Sequence, residues 1–160
     1  FFGHFVEQFH FVSRHFGCGF QKLVGNARHG VHRSRDEVAQ FLEANDKIGW
    51  INYPSLPSSK YYSLAQKYMP DGTCGVICFG IKGGRAAATK FMDSLKLAAV
   101  VTHVADARTC VLHPASTTHR QLTDEQLAAA GIPAGLVRLS VGTEHVDDII
   151  ADIEQALANS

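Results

Sequence analysis

From Asp36 onward the apolar positions alternate between helical and strand spacing. In "DEVAQFLEAN" Val38, Phe41 and Leu42 share one helical face, and Asp36 sits where an N-cap belongs. "KIGWINY" has the pattern of a strand, stopped by Pro54. After the loop "SLPSS", the stretch "KYYSLAQKYMPDG" predicts a helix capped by Ser58 or Ser59. Tyr61, Tyr62, Leu64, Ala65 and Tyr68 would form its apolar side, and Pro70 and Gly72 its end. "CGVICFGI" predicts a buried strand. "KGGRAAATKFMDSLKLA" predicts a turn and an Ala-rich helix with Phe91, Met92 and Leu95 inward. "AVVTHVA" and "RTCVLH" predict two more strands. "TDEQLAAAG" is a short helix between a Thr123 cap and a Gly131 stop. "GLVRLSVG" is a strand, and "EHVDDIIADIEQAL" a last helix with Val146, Ile149, Ile150, Ile153 and Leu157 on one stripe. Strands and helices joined by short connections imply an α/β (α+β) fold, one sheet with helices packed on it.

The segment before this pattern is different. Seven of the ten phenylalanines and five of the nine histidines lie before Asp36. "FFGHFVEQFHFVSRHFGCGF" fits neither helical nor strand spacing, and "GNARHGVHRSR" has no apolar face. Residues 1–37 therefore form an atypical N-terminal segment, and 38–160 a single domain. A metal site built from His4, His10 and His15 would need a regular ligand spacing that the tract lacks.

Composition narrows the function classes. The chain has 160 residues, 46% hydrophobic and 19% charged, enough for one core. Fifteen basic and fifteen acidic residues cancel, leaving no electrostatic footprint for nucleic acid or an anionic membrane surface. No apolar run is long enough to span a bilayer as a helix. The four cysteines read as reduced, buried small hydrophobes, which fits a cytoplasmic compartment. On one strand, Cys74 and Cys78 would stand about 13 Å apart, too far to share a metal.

Three stretches invite chemistry. "GIKGGR" follows a strand and opens a helix, but no Lys-Ser/Thr follows its glycines, so a tight turn is favoured over a phosphate cradle. In "LHPASTTH" the spacing of His113 and His119 suits no zinc site, and there is no nucleophile elbow around Ser116. The stretch reads as a strand end entering a hydroxyl-rich loop that caps turns or lines a cleft. In "LVRLSVG", Arg138 shares a strand face with Leu136 and Ser140 inside an apolar run. A guanidinium there needs an anionic partner, either an internal Asp or Glu or a ligand carboxylate held by two prongs.

Together "FGIKGGRAAATKFMDSLKL", "DARTCVLHPASTTHRQLTDEQLAAAGI" and "LVRLSVGTEHVDDIIADIEQAL" resemble the C-terminal region of the Cys/Met-metabolism family of pyridoxal-phosphate enzymes. Within that family the likeness is to the O-acetylhomoserine sulfhydrylases, or homocysteine synthases, and it runs from about Val38 to the end. It implies the small C-terminal domain of a fold-type I transferase. By position, Arg138 would bind the substrate α-carboxylate. His103 stands where the sulfhydrylases carry Asn and their relatives Ser, beside that carboxylate, and "THVADA" replaces an "NVGDA"-like stretch. Ser116 and Thr117 would be at most second-line substrate contacts.

The implied whole-enzyme reaction is replacement of acetate by sulfide at the γ-carbon of O-acetylhomoserine, giving homocysteine. The implied cofactor is pyridoxal 5'-phosphate, and complete family members are homo-oligomers. Lys82, Lys90 and Lys96 do not match the family's cofactor-lysine motif, so no covalent cofactor is expected on this chain. The expectation is a C-terminal fragment, inactive alone, whose first residues arise from an out-of-frame start. The alternative is a stand-alone small α/β module that binds an amino-acid-like ligand through Arg138.

Overall fold

The computed structural model describes residues 28–103 and 106–160, with side chains from Ser34 onward. His4, His10, His15 and Cys18 lie outside the described residues. Helix α1 spans Arg28–Ala44, so it begins well before the expected cap at Asp36. Val38, Ala39 and Leu42 are fully buried and anchor the helix. Once such a nucleus exists, each upstream residue adds a hydrogen bond at little extra cost, and "RHGVHRSR" contains no proline to stop it. Asp36 is therefore mid-helix, and its carboxylate accepts from the Tyr53 hydroxyl at 3.2 Å.

Strand β1 is Ile48–Asn52 and helix α2 is Tyr62–Tyr68. The expected cap on α2 is not formed: Tyr61 is the N-cap and lends no side chain, while Ser58 donates to Glu43. Ser59 Oγ instead accepts from the Tyr61 amide at 3.3 Å. The apolar side read for α2 is also largely uncovered. Only Ala65 is buried; Leu64 and Tyr68 are 54% and 69% exposed.

Then follow β2 (Val76–Ile81), α3 (Gly84–Ser94), β3 (Ala99–Val100) and β4 (Cys110–Leu112). The chain closes with a 3-10 turn (Pro114–Ser116), α4 (Asp124–Ala129), β5 (Leu136–Ser140) and α5 (Val146–Ala158). Cys74 precedes β2 rather than sharing it with Cys78. The thiols of Cys74, Cys78 and Cys110 are free, and burial pushes that of Cys78 up to about 11. Within "AVVTHVA" only Ala99 and Val100 form a strand among the described residues, because the pairing partner β4 is three residues long. The α4 reading holds in detail. Thr123 and Gln126 form a reciprocal capping box, and Gly131 leaves the helix at φ 74°.

The strands form one mixed sheet in the order β1-β2-β5-β4-β3. All neighbours are antiparallel except β3 and β4. Ile77, Phe79 and Ile81 of β2, with Val137 and Leu139 of β5 and Val141 just beyond it, point to one face. There they meet Val38 and Leu42 of α1, Phe91 and Met92 of α3, and Ile149, Ile153 and Leu157 of α5. Phe79 and Phe91 pack edge to face with centroids 6.0 Å apart. The intervening residues take the opposite face: Cys78 pairs with Arg138, and Arg138 with Leu112. On that face the Trp50 indole occupies the space where a side chain at Gly80 would begin.

Long-range polar contacts fasten the loops. Gly83 and Gly84, at φ 97° and 66°, make the turn into α3, as the tight-turn reading of "GIKGGR" expects. Arg85 then reaches across to Asp124 Oδ1 (2.9 Å from Nε, 2.6 Å from Nη2) and to the carbonyls of Ala115 and Leu122. The Glu144 carboxylate accepts from both the amide and the hydroxyl of Thr109, each at 2.8 Å. A Cβ at Gly142 would collide with that carboxylate and with the Thr109 nitrogen.

"LHPASTTH" is built around a fully buried His113. Its Nε2 meets the Ala134 carbonyl at 2.8 Å and its Nδ1 the Ser116 hydroxyl at 2.9 Å. A carbonyl can only accept, so Nε2 carries the proton and Nδ1 accepts from Ser116 in the neutral ring. Thr117 Oγ1 donates to the His113 carbonyl at 2.8 Å. Burial, aided by the Arg85 charge and opposed by the Ala134 carbonyl, holds the His113 pKa below its usual value.

Two outcomes are expected. Gly142→Ala should lower the unfolding free energy by about 1–3 kcal/mol in urea, because Glu144 or the Thr109 backbone must move aside. For His113 the folded pKa lies below the unfolded one, so its contribution is complete above the unfolded value of about 6.5 and is lost as pH falls toward the folded value. Urea titrations at about pH 7.5 and pH 5.5 should show that loss in the parent chain. His113→Gln should be less stable at the higher pH and show a shallower decline.

Candidate carboxylate site around Arg138

Arg138 lies at the centre of β5, on the face of the sheet turned away from α1, α3 and α5. Strand alternation puts it there: Val137 and Leu139 on either side are buried in the core. Its neighbours across the ladder are Cys78 on β2 and Leu112 on β4. Nη2 donates to the carbonyls of Thr102 and His103, each at 3.2 Å. Nε is buried without an acceptor among the described residues. Burial draws the Arg138 pKa down, while the Cys78 and Cys110 thiols act in the other direction. An arginine so shifted still carries its charge near neutral pH.

Of the two anionic partners open to Arg138 on sequence grounds, an internal Asp or Glu is not found hydrogen-bonded to it among the described residues. Its recorded acceptors are carbonyls. Carbonyl oxygens offset part of the desolvation of a guanidinium but do not neutralise its charge. The uncompensated positive charge is what a ligand carboxylate would meet.

The other candidate residues fall in two groups. His103 is brought to Arg138 by its backbone carbonyl, and the residue is exposed. Ser116 and Thr117 serve His113 instead, through the hydroxyl contacts already described. Sequence reasoning missed Thr102, whose carbonyl is an equal partner of Arg138, since a backbone acceptor has no residue-type signal. It also missed Arg35, whose Nε is buried without an acceptor among the described residues, beside Gly75.

The described residues do not fit the pyridoxal phosphate that the family resemblance implies. An imine-forming lysine needs a sheltered amine close to the cofactor. Lys60, Lys67, Lys82, Lys90 and Lys96 are all exposed. Lys47 is half-buried, but its amine donates to the carbonyls of Leu157 at 2.6 Å and Ser160 at 3.0 Å, closing the end of α5. No group of three or more His, Cys, Asp or Glu that could hold a metal ion occurs among the described residues. None of the described helices is long and apolar enough to cross a membrane.

A family model described as Cys/Met metabolism PLP-dependent enzyme matches residues 28–158. The match starts upstream of Val38, at the first residue of α1. The O-acetyl-L-homoserine sulfhydrylase of Leptospira meyeri is 48% identical over 124 residues, covering 77% of this chain and 28% of that protein. The homocysteine synthase of Schizosaccharomyces pombe is 48% identical over 120 residues, covering 75% and 28%. Among solved structures, a putative O-acetylhomoserine (thiol)-lyase from Campylobacter jejuni, with N'-pyridoxyl-lysine-5'-monophosphate, aligns with a TM-score of 0.72 at 36% identity. That alignment covers 80% of this chain and 30% of the other. The chain thus spans less than a third of the length of these relatives. With the family model covering α1 through α5 and a solved relative sharing the fold, the chain belongs to the Cys/Met-metabolism family of PLP-dependent enzymes.

Proposed function

We propose that this chain is the substrate-orienting small domain of an O-acetylhomoserine sulfhydrylase-type enzyme. The overall reaction replaces the acetate on the γ-carbon of O-acetylhomoserine with sulfide, giving homocysteine. The chain's own part is to bind and orient. Arg138 takes the α-carboxylate, and the Thr102 and His103 carbonyls hold the guanidinium for it. Fixing the carboxylate end of an amino acid limits where its γ-carbon can lie, a contribution through orientation rather than bond-making. Pyridoxal phosphate, when bound in such an enzyme, supplies the electron sink. That chemistry belongs to residues other than those described. Ser116 and Thr117 act on the site only indirectly, through His113.

The observation that carries this reading is the half-buried guanidinium of Arg138, solvated by carbonyls and lacking a carboxylate among the described residues. The sulfhydrylase and synthase names of the relatives supply the substrate class.

Titrating O-acetylhomoserine into the isotope-labelled chain should shift resonances of Arg138 and of residues 102 and 103. Arg138→Ala should weaken binding at least about tenfold, the scale of a lost charge-assisted contact. Ser116→Ala should leave the affinity within about twofold, since its hydroxyl is not placed to touch the ligand. If the parent chain does not bind, or Arg138→Ala binds equally well, the carboxylate role is wrong.

A further inference from the structure

The carbonyls that hold Arg138 come from a segment with little sheet of its own. β3 is two residues long, and Thr102 and His103 follow it, exposed. A short edge strand next to exposed loop residues ordinarily opens easily. Something must therefore hold the segment where Nη2 finds both carbonyls.

Asp152 of α5 is placed to do this. Its side chain reaches the segment that leads into β3, and the residue is only 7% exposed. Oδ1 accepts from the Lys96 amide at 2.8 Å, and Oδ2 from the amides of Leu97 and Ala98 at 2.9 Å each. Three successive N–H groups converging on one anion form a tight backbone cradle. Burial pushes the Asp152 carboxyl up, but these three amides and the Gln155 side chain outweigh it and hold the pKa below the usual value. The carboxylate thus stays charged near neutral pH. Gln155 Nε2 supports it, donating to Oδ1 at 3.1 Å and to the Ser94 carbonyl at 2.6 Å.

From this cradle the chain runs directly to the site. The Ala99 amide donates to the Thr109 carbonyl at 2.9 Å, and the Val101 amide to the Val111 carbonyl at 3.2 Å. The next two carbonyls are those that receive Arg138. We infer that Asp152 is a positioning residue for Arg138: by clamping the amides of residues 96–98 from the helical side, it sets the two carbonyls that orient the guanidinium on the other side of the sheet. The consequence for binding rests on the proposed carboxylate role of Arg138; the orienting contact itself does not.

The test uses the Nε–H resonance of Arg138 in the labelled 160-residue chain, assigned by its loss in Arg138→Lys. Its hydrogen exchange reports how firmly the guanidinium is held, whether or not a ligand binds. Asp152→Asn removes the charge and turns one acceptor into a donor facing amides. It should speed Arg138 Nε–H exchange about tenfold or more, the scale of a lost hydrogen bond to a charged group. Lys47→Ala, which weakens the C-terminal end of α5, serves as the control for loss of stability alone. At matched global stability it should leave the exchange within about twofold.

Equal exchange in Asp152→Asn and the control would overturn the inference. If Asp152→Asn does not fold, Gln155→Ala takes its place, with a smaller acceleration of about threefold expected, and none would overturn it. The two readings fail separately. Faster exchange in a chain that does not bind O-acetylhomoserine keeps the positioning role and removes the substrate. Binding that is unaffected by Asp152→Asn, together with unchanged exchange, keeps the substrate and removes the positioning role.

Discussion

Burial of one face of β2 and β5 under three helices sets the geometry of this protein. Ile77, Phe79, Ile81, Val137, Leu139 and Val141 all point into that layer. Each large apolar side chain buried there contributes about 1.5–3 kcal/mol. Because strand side chains alternate, a slip of one residue would drive Arg138 into the core and turn the apolar set outward. The same packing that stabilises the domain therefore selects the face on which Arg138 appears. Its pairing with Cys78 and Leu112 then fixes its position within the sheet.

The connections are held by a different means. Asp152, Glu144, Lys47 and Arg85 each reach across the fold, and each satisfies backbone groups left over by a loop or a helix end. Only Arg85 adds a carboxylate partner, Asp124. Backbone donors and acceptors outside regular structure must find partners or remain in water, and a charged side chain meets several at once. His113 plays the neutral counterpart of this role, tying the end of β4 to the approach to β5. The loop around it supports the junction of β4 and β5, and its Ser116 and Thr117 hydroxyls are engaged by His113.

Much of the fold was legible because its signals are local. The stripe Val146, Ile149, Ile153 and Leu157 on α5, the Thr123–Gln126 capping box on α4 and the face of Arg138 each follow from spacings of a few residues. The misreadings fall where packing or pairing elsewhere in the chain overrides a local signal. Asp36 resembles a helix cap but lies inside α1, because burial of Val38 and Leu42 carries the helix upstream of it. Tyr62, Leu64 and Tyr68 resemble a buried stripe, but within the described residues α2 presses only Ala65 inward. β3 stops after Val100 although apolar residues continue, since its pairing partner β4 supplies only three residues.

The sequence by itself determined the periodicities, the caps and the identity of the one guanidinium that interrupts an apolar strand. Its family motifs also pointed to the kind of ligand that guanidinium would meet. Only the tertiary structure decided which groups surround Arg138, because they are carbonyls at Thr102 and His103, more than thirty residues away along the chain. It likewise decided that Asp152 holds the amides of residues 96–98, a contact spanning more than fifty residues. Every residue but proline carries the same amide and carbonyl, so no residue type announces such a partner; packing of the helices on the sheet is what brings them within reach.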